Sequence, residues 1–240
     1  MIRSRVGLGS ATLETVLPDE DYSPGDAVEA VVEVTGGTSD QRIEVVHCSI
    51  VAMRDTGGDE VEYEVDRFDL LEEFVIEASE TARIPFTVTF PQWTPITFEN
   101  VGVRIDLGAD IRWAVDPHDS IEVAIVPDPL LAATLEAVSR LEFEFKRSWL
   151  HAVDWVADRE FVQVFEFDPG QDYADRVERL LLTPIPETDR LRLNVEIDRI
   201  DAVADQYDLD FNRDEVPFVV RSPKPSLIQG RLQHEIESHS

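Results

Sequence analysis

The chain has 240 residues, of which 43% are hydrophobic, and it carries 50 acidic against 21 basic residues, a formal net charge of -29. A chain of this length and hydrophobic content can bury a sizeable core and form two domains, which excludes wholesale disorder. Its negative charge repels phosphate backbones and anionic membrane surfaces, which argues against nucleic-acid binding.

Alternation of apolar and polar residues with a period of two dominates the first half of the chain. This pattern predicts half-buried β-strands, and the paired residues Pro24-Gly25, Gly36-Gly37 and Gly57-Gly58 predict turns between them. We expect glycines at the Gly36-Gly37 turn because a hairpin turn requires positive φ angles, which glycine adopts at low cost. The predicted strands include Val28–Val34, Ile43–Val51, Val61–Val65, Ile84–Phe90, Val101–Leu107 and Ile121–Ile125.

One segment departs from the strand pattern. Asp128-Pro129 precedes Leu131, Leu135 and Val138, which are spaced as on one face of a helix. An Asp cap followed by Pro at the first helical position is typical of a helix start. We therefore predict a short linker helix that ends near Arg140 and marks a domain boundary.

Alternating segments resume after this helix. They predict strands at Leu141–Phe145, Phe161–Phe167, Arg179–Thr183, Leu191–Ile197 and Phe218–Arg221. The fold class predicted is all-β, with two antiparallel β-sandwich lobes joined by the helix. The expected division is an N-terminal sandwich at residues 1–127, the helix and a C-terminal sandwich at 128–222, and a loose tail at 223–240.

The acidic residues are dispersed along the chain, and Lys146 and Lys224 are the only lysines. Dispersed carboxylates are typical of a protein from a salt-rich cytoplasm, where salt screens their mutual repulsion. The alternative is an acidic surface for a basic partner. No apolar run is long enough for a membrane span and no secretion signal is present, so we expect a cytoplasmic protein without integral membrane association.

Candidate metal ligands occur in two places. The string Asp208, Asp210, Asn212 and Asp214 is similar to the first half of a calcium loop, but Arg213 and Val219 stand where that loop needs Gly and Glu. A solvated loop is the preferred interpretation, with a weak calcium-modulated binding protein as the alternative. The second place, Asp110 to Asp119 around His118, is better explained as a turn before a strand.

The single cysteine and the tryptophans are the remaining candidates for a functional site, and packing in the core is the simpler explanation for each. Cys48, the single cysteine, cannot form an intramolecular disulfide and is expected to be a buried, inert thiol. A carbohydrate-binding or sugar-processing sandwich is a second alternative, which would use exposed tryptophans. The candidates are Trp93, Trp113, Trp149 and Trp155. We find no catalytic motif, and we expect no cofactor and no enzymatic activity.

Three stretches together resemble the sporulation-control (SpoOM) family. The first runs from Gly7 through Tyr22-Ser-Pro-Gly-Asp26 to Val34-Thr-Gly-Gly-Thr-Ser-Asp-Gln-Arg-Ile43. The second comprises Ile84-Pro-Phe86, Thr94-Pro95 and Leu107 to Pro117. The third comprises Pro129 to Phe143, Phe161 to Phe167 and Val195 to Arg199. The resemblance covers residues 7–221 in order.

The resemblance implies an arrestin-like pair of β-sandwiches with no catalytic residues to carry over. It further implies a regulatory adaptor that acts through protein–protein interaction. The expected partners are therefore proteins of unknown identity, bound at a sheet edge, a loop cluster or a groove, with self-association into a homo-oligomer as a further option.

Overall fold

The computed structural model describes residues 10–18, 21–58, 60–98, 100–112, 116–154, 156, 159–200 and 218–239. The chain divides into two compact units. The first comprises Met1–Thr97 and Val101–Val126, and the second comprises Phe98–Asn100 and Pro127–Ser240.

The first unit contains two antiparallel sheets. One has three strands in the order β1-β2-β5, and the other has four strands in the order β4-β3-β6-β7. Alternate residues of β1, β2 and most of β6 are buried, as the sequence pattern predicts. The strand bounds are β1 Thr12–Val16, β2 Ala27–Thr35, β3 Gln41–Asp55, β4 Glu60–Ile76, β5 Thr81–Thr89, β6 Val101–Ile111 and β7 His118–Val123.

The two sheets of this unit meet along one side through the edge strands β1 and β7. The backbone N–H of Thr15 on β1 donates a hydrogen bond of 2.7 Å to Oδ2 of Asp119 on β7. On the other side the edge strands are β4 and β5, which make few contacts with each other. The first unit therefore has one side at which a hydrogen bond ties β1 to β7, and one side at which the turn between β4 and β5 and a few contacts link the sheets.

Gly36 is required for a different reason from the one we expected. Its φ angle is not positive, but a β-carbon at this position would lie 2.1 Å from the carbonyl oxygen of Glu77. The N–H of Gly36 donates to the carbonyl of Glu80 at 2.8 Å, which fixes this close approach. The glycine is needed for close backbone packing.

The second unit begins with helix α1, Pro129–Arg140, where the sequence predicts a helix. The Asp128 side chain caps the helix by accepting hydrogen bonds from the N–H groups of Leu130 and Leu131, at 2.7 and 3.3 Å. The helix ends in a Schellman motif, since the N–H of Phe143 donates to Val138 and that of Glu142 to Ser139. The strand predicted from Leu141 therefore starts later, at Glu144.

One antiparallel sheet of five strands follows, in the order β12-β11-β10-β9-β8. Strand β9 is buried on both faces from Phe161 to Phe167. A second sheet of this unit is not found among the described residues. The strand bounds are β8 Glu144–Ala152, β9 Phe161–Asp168, β10 Val177–Glu187, β11 Arg190–Arg199 and β12 Phe218–Val220.

The loose tail predicted at residues 223–240 is wrong. Pro225–His239 forms a second helix, α2, which packs against α1. Its side chains Ile228, Leu232 and Ile236 recur every four residues and are buried. This helical spacing, with Pro225 at the first helical position, outweighs the turn signal that Pro and Gly give in the sequence.

The predicted fold class is confirmed, because the described chain consists mainly of antiparallel strands with only two helices.

Candidate functional site

Strand β4 is the longest strand of the described chain, with 17 residues, and it lies at the edge of its sheet. It pairs with β3 from Glu60 to Ile76, and its other edge has no neighbouring strand in the described sheet. The register shifts where Val65 and Leu70 lack a partner on β3. These two bulges divide the strand into two end stretches of regular pairing, the first at Glu60–Glu64 and the second at Leu71–Ile76, and a shorter middle stretch at Asp66–Asp69.

In the first regular stretch, Glu60–Glu64, two carboxylates pair with Arg104 on β6. The Arg104 Nη1 atom lies 2.8 Å from Glu62 and 3.6 Å from Glu60, and Nε lies 2.8 Å from Asp106. The hydrogen bond from Arg104 lowers the pKa of Glu62, and the bond to Glu62 is in turn the main cause that raises the pKa of Arg104. Ser120 on β7 completes this network by donating to Asp106 at 2.6 Å.

The second regular stretch, Leu71–Ile76, has a different surface. Val75 is 63% exposed, the largest exposure among the large hydrophobic side chains of the described residues. Val75 lies opposite Arg42 on the neighbouring strand β3, and Arg42 forms an ion pair with Glu73. Glu72 has no cationic partner in the described part of the chain. An exposed apolar side chain thus stands among carboxylates at an open sheet edge.

More carboxylates surround this end of β4. The turn that follows the strand contains the exposed residues Glu77 and Glu80, and Asp40 accepts a hydrogen bond from the N–H of Ala78 at 3.0 Å. Arg42 and Arg112 lie in this neighbourhood, and Nε of Arg112 is 4.0 Å from Oε1 of Glu44. The local charge is therefore clearly negative.

The predicted calcium-loop candidates Asp208, Asp210, Asn212 and Asp214 lie outside the described residues. The weak cation site they suggest stays a prediction. Among the residues that the structure does describe, no group of three or more His, Cys, Asp or Glu side chains could hold a metal ion.

The structure describes part of the Asp110 to Asp119 segment: Asp110 lies on β6, and His118 and Asp119 already belong to β7, where the sequence predicts a turn before a strand at Ile121. Asp116 accepts a hydrogen bond from the N–H of Ile111 at 2.9 Å, and Asp119 binds the N–H of Thr15. Asp110 and His118 are exposed. Two of the carboxylates are therefore used to close the hairpin between β6 and β7 and to tie β7 to β1.

The structure describes two of the four tryptophans that would support sugar binding, because Trp113 and Trp155 are outside the described ranges. Trp149 is half-buried against an apolar cluster that includes Val164 and Leu181, and the Arg147 guanidinium lies 5.2 Å from its ring centroid. Trp93 is also half-buried. Trp149 is thus engaged in packing, which weakens the reason to expect a stacking platform for sugars.

Cys48 lies on β3 and is fully buried, as expected from the sequence. Burial, together with the charges of Asp66 and Asp106, raises the pKa of its thiol to about 12. A thiol that stays protonated at neutral pH is a poor nucleophile and a poor metal ligand. Cys48 therefore has a packing role.

The open edge of β4 was not found from the sequence. The alternation of Val61, Tyr63 and Val65 with acidic residues predicts a strand, but it does not show which strands are its neighbours. The one signal present is the density of carboxylates from residue 60 to 80, because charged side chains are common on strands at sheet edges.

Comparison with solved structures identifies the class of protein. The crystal structure of Spo0M, a sporulation control protein from Bacillus subtilis, aligns with a TM-score of 0.84 at 24% identity, and the alignment covers 97% of this chain and 100% of that one. The fold is therefore the arrestin-like fold of that protein.

Comparison with protein families gives the particular family. The model of the SpoOM protein family matches residues 2–201, and the chain belongs to this family. A curated relative, sporulation-control protein spo0M of Bacillus subtilis strain 168, is 28% identical over 204 residues, which are 82% of this chain and 79% of the relative. The resemblance found in the sequence is thereby confirmed. Within the described residues, no helix is both long enough and apolar enough to cross a bilayer.

Proposed function

We propose that the protein is a non-catalytic regulatory adaptor, which acts by binding other proteins through its β-sheets. The SpoOM family is a sporulation-control family and not a known family of enzymes. The expected adaptor role rests on this membership together with the surface of the first unit.

The observation that carries the proposal is the open edge of β4. An edge strand presents unpaired backbone N–H and C=O groups, which can pair with an extended segment of another protein. β4 is long, and it belongs to a unit whose sheets are anchored at the opposite side by β1 and β7. Partner binding at such an edge needs no rearrangement of the core.

The test is affinity capture from lysate of the source cells with the full chain as bait. It should be done at low and at high salt, because the net charge of -29 makes binding of basic proteins strongly dependent on salt. The matched control bait is an unrelated folded protein of similar net charge. We expect one or a few proteins, identified by mass spectrometry, to be retained by the chain and not by the control. Identical sets on both baits at every salt concentration would contradict the adaptor role.

A further inference from the structure

We propose that Leu71–Ile76, the second regular stretch of β4, is a docking edge for an extended partner segment in which basic side chains alternate with apolar ones. This inference rests on the proposed function, since it names the site and the partner chemistry of the adaptor. It is argued from the other sheet edges, from Val75 and from the local charge.

The other edges of the first unit are closed or unsuitable. β1 and β7 contact each other across the sandwich. β5 carries Pro85 at its centre, and proline has no N–H to offer to an added strand. Among the described strands of this unit, β4 alone is a long edge without either obstacle.

The edges of the second unit are also unsuitable. β12 has three residues, and Arg231 of α2 donates a hydrogen bond of 2.7 Å to its Val219 carbonyl. β8 has a bulge at Lys146, which interrupts its ladder. The ammonium group of Lys146 is paired with Glu166 at 3.1 Å and Asp168 at 3.0 Å. A lysine at a bulge is a usual means of protecting an edge from pairing.

Within β4 the observations favour the second stretch over the first. Glu60 and Glu62 of the first stretch are already paired with Arg104, and Val61 is 40% exposed against 63% for Val75. Leu71–Ile76 is six residues long, which is the usual length of a strand, and five of them have a partner on β3. An apolar side chain of an added strand would cover Val75, and the basic side chains on the opposite face of that strand would lie on the same face as Glu72.

Charge decides the kind of partner. Glu72, Glu77, Glu80 and Asp40 surround the stretch and carry no ion pair to a described cation, while Arg42 is paired with Glu73. Arginine or lysine side chains on the partner would pair with these carboxylates. A second copy of this chain would place like charges opposite one another, which is unfavourable across a pair of strands.

The experiment uses the isotope-labelled full chain and a synthetic peptide in which Arg alternates with Val. The peptide has about six residues, which is the usual length of a strand. Amide NMR shifts report where the peptide binds and how tightly. We expect the largest shifts at the amides of Leu71–Ile76 and a gain in protection from hydrogen exchange there. Shifts confined to another strand would overturn the proposal.

Two pairs of variants separate this site from general attraction. Val75→Thr is nearly isosteric and should weaken binding about fivefold, the loss expected when one apolar contact is removed. Val61→Thr, on the same strand, should leave the affinity unchanged. The double variant Glu72→Gln/Glu77→Gln should weaken binding about tenfold at low salt, and Glu14→Gln/Glu29→Gln, with the same change in net charge on β1 and β2, should not.

A second peptide with methyl groups on alternate backbone nitrogens keeps the charges but cannot form the ladder. Strand addition requires this peptide to lose binding, and equal affinity of the two peptides would show electrostatic adsorption only and overturn the docking edge. Absence of binding by either peptide would also overturn it. The lysate capture decides the adaptor role separately, because a specific partner that is retained equally by the Val75→Thr chain would keep that role and reject this site.

Discussion

Gly170 lies directly against the backbone of Glu142, at the end of helix α1. A β-carbon on Gly170 would stand 2.4 Å from the Glu142 carbonyl oxygen and 2.7 Å from its Cβ. Next to this contact, the rings of Phe143, which follows Glu142, and Tyr173, three residues after Gly170, pack with their centroids 5.1 Å apart. The turn at Gly170 therefore packs against the helix end with no room for a side chain.

Gly170→Ala should destabilise the protein by about 2 kcal/mol, because the backbone of Glu142 must move to admit the methyl group. The measurement is the free energy of unfolding in urea. Gly230→Ala in α2 is the control, since a β-carbon there meets nothing within 4 Å. Alanine in a helix interior should stabilise by about 0.5–1 kcal/mol. Equal effects of the two substitutions would contradict this account.

Glu142→Gly should stabilise the protein by about 1 kcal/mol. Glu142 has a φ of 64° at the position of the Schellman motif where glycine is usual, and a left-handed conformation is costly for other residues. Glu144→Gly, at the first residue of strand β8, should destabilise, because glycine loses more backbone entropy on folding than other residues. Both changes remove one carboxylate, so a thermal melt of the pair separates backbone strain from charge.

Glu196→Gln should stabilise the protein at neutral pH. Burial, and secondarily the charge of Asp198, raise the pKa of Glu196 above its ordinary value of 4.5. The folded state therefore binds the proton more tightly than the unfolded state, so this contribution to stability is present below pH 4.5 and is lost as pH rises through the folded pKa. Glutamine keeps the neutral shape at every pH.

The check on Glu196→Gln is the free energy of unfolding of both proteins at pH 4 and at pH 7, with the exposed Glu178→Gln on β10 as control. The gain from Glu196→Gln should be present at pH 7 and shrink towards pH 4. A gain that is the same at both pH values would show that the effect does not come from ionisation.

Cys48 should react with a disulfide reagent only when the protein opens. Its pKa of about 12 leaves little thiolate at pH 8, and its side chain is fully buried. We expect the native protein to react at least about a hundredfold more slowly than the protein in denaturant. Comparable rates would place the thiol at the surface and contradict the position of β3 in the core.

Low salt should destabilise the protein. The net charge of -29 produces repulsion that salt screens, as the Debye length falls from about 10 Å at 0.1 M to about 3 Å at 1 M. Thermal melting between about 0.1 and 3 M KCl should show a rising midpoint. A flat profile would remove the support for a protein adapted to a salt-rich cytoplasm.

Local signals in the sequence are sufficient to predict the fold class and the position of helix α1. The Asp128 cap and Pro129 act within one turn of chain, and the alternation in β2 and β6 reports on burial of each strand by itself. The helix α2 was missed because the apolar spacing of Ile228, Leu232 and Ile236 is sparse and is interrupted by Gly230. Packing of these side chains against α1 stabilises the helix, and this long-range contact is not apparent in the sequence.

The candidate site could not be predicted in the same way. Which strand lies at an edge depends on pairing between residues far apart in the chain, such as Ile43 with Phe74 and Ile43 with Ile111. The neutralisation of Glu62 by Arg104 is equally remote in sequence. The requirement for Gly36 also comes from a distant residue, Glu77, and so it was assigned to the wrong cause.

The bulges at Val65 and Leu70 have a consequence for how the protein behaves when it is concentrated. Growth of a fibre by repeated stacking of identical copies needs a long flat edge, and bulges bend and twist the strand that contains them. They divide the 17 residues of β4 into short flat pieces. The strand can thus accept one short foreign segment while resisting assembly into amyloid.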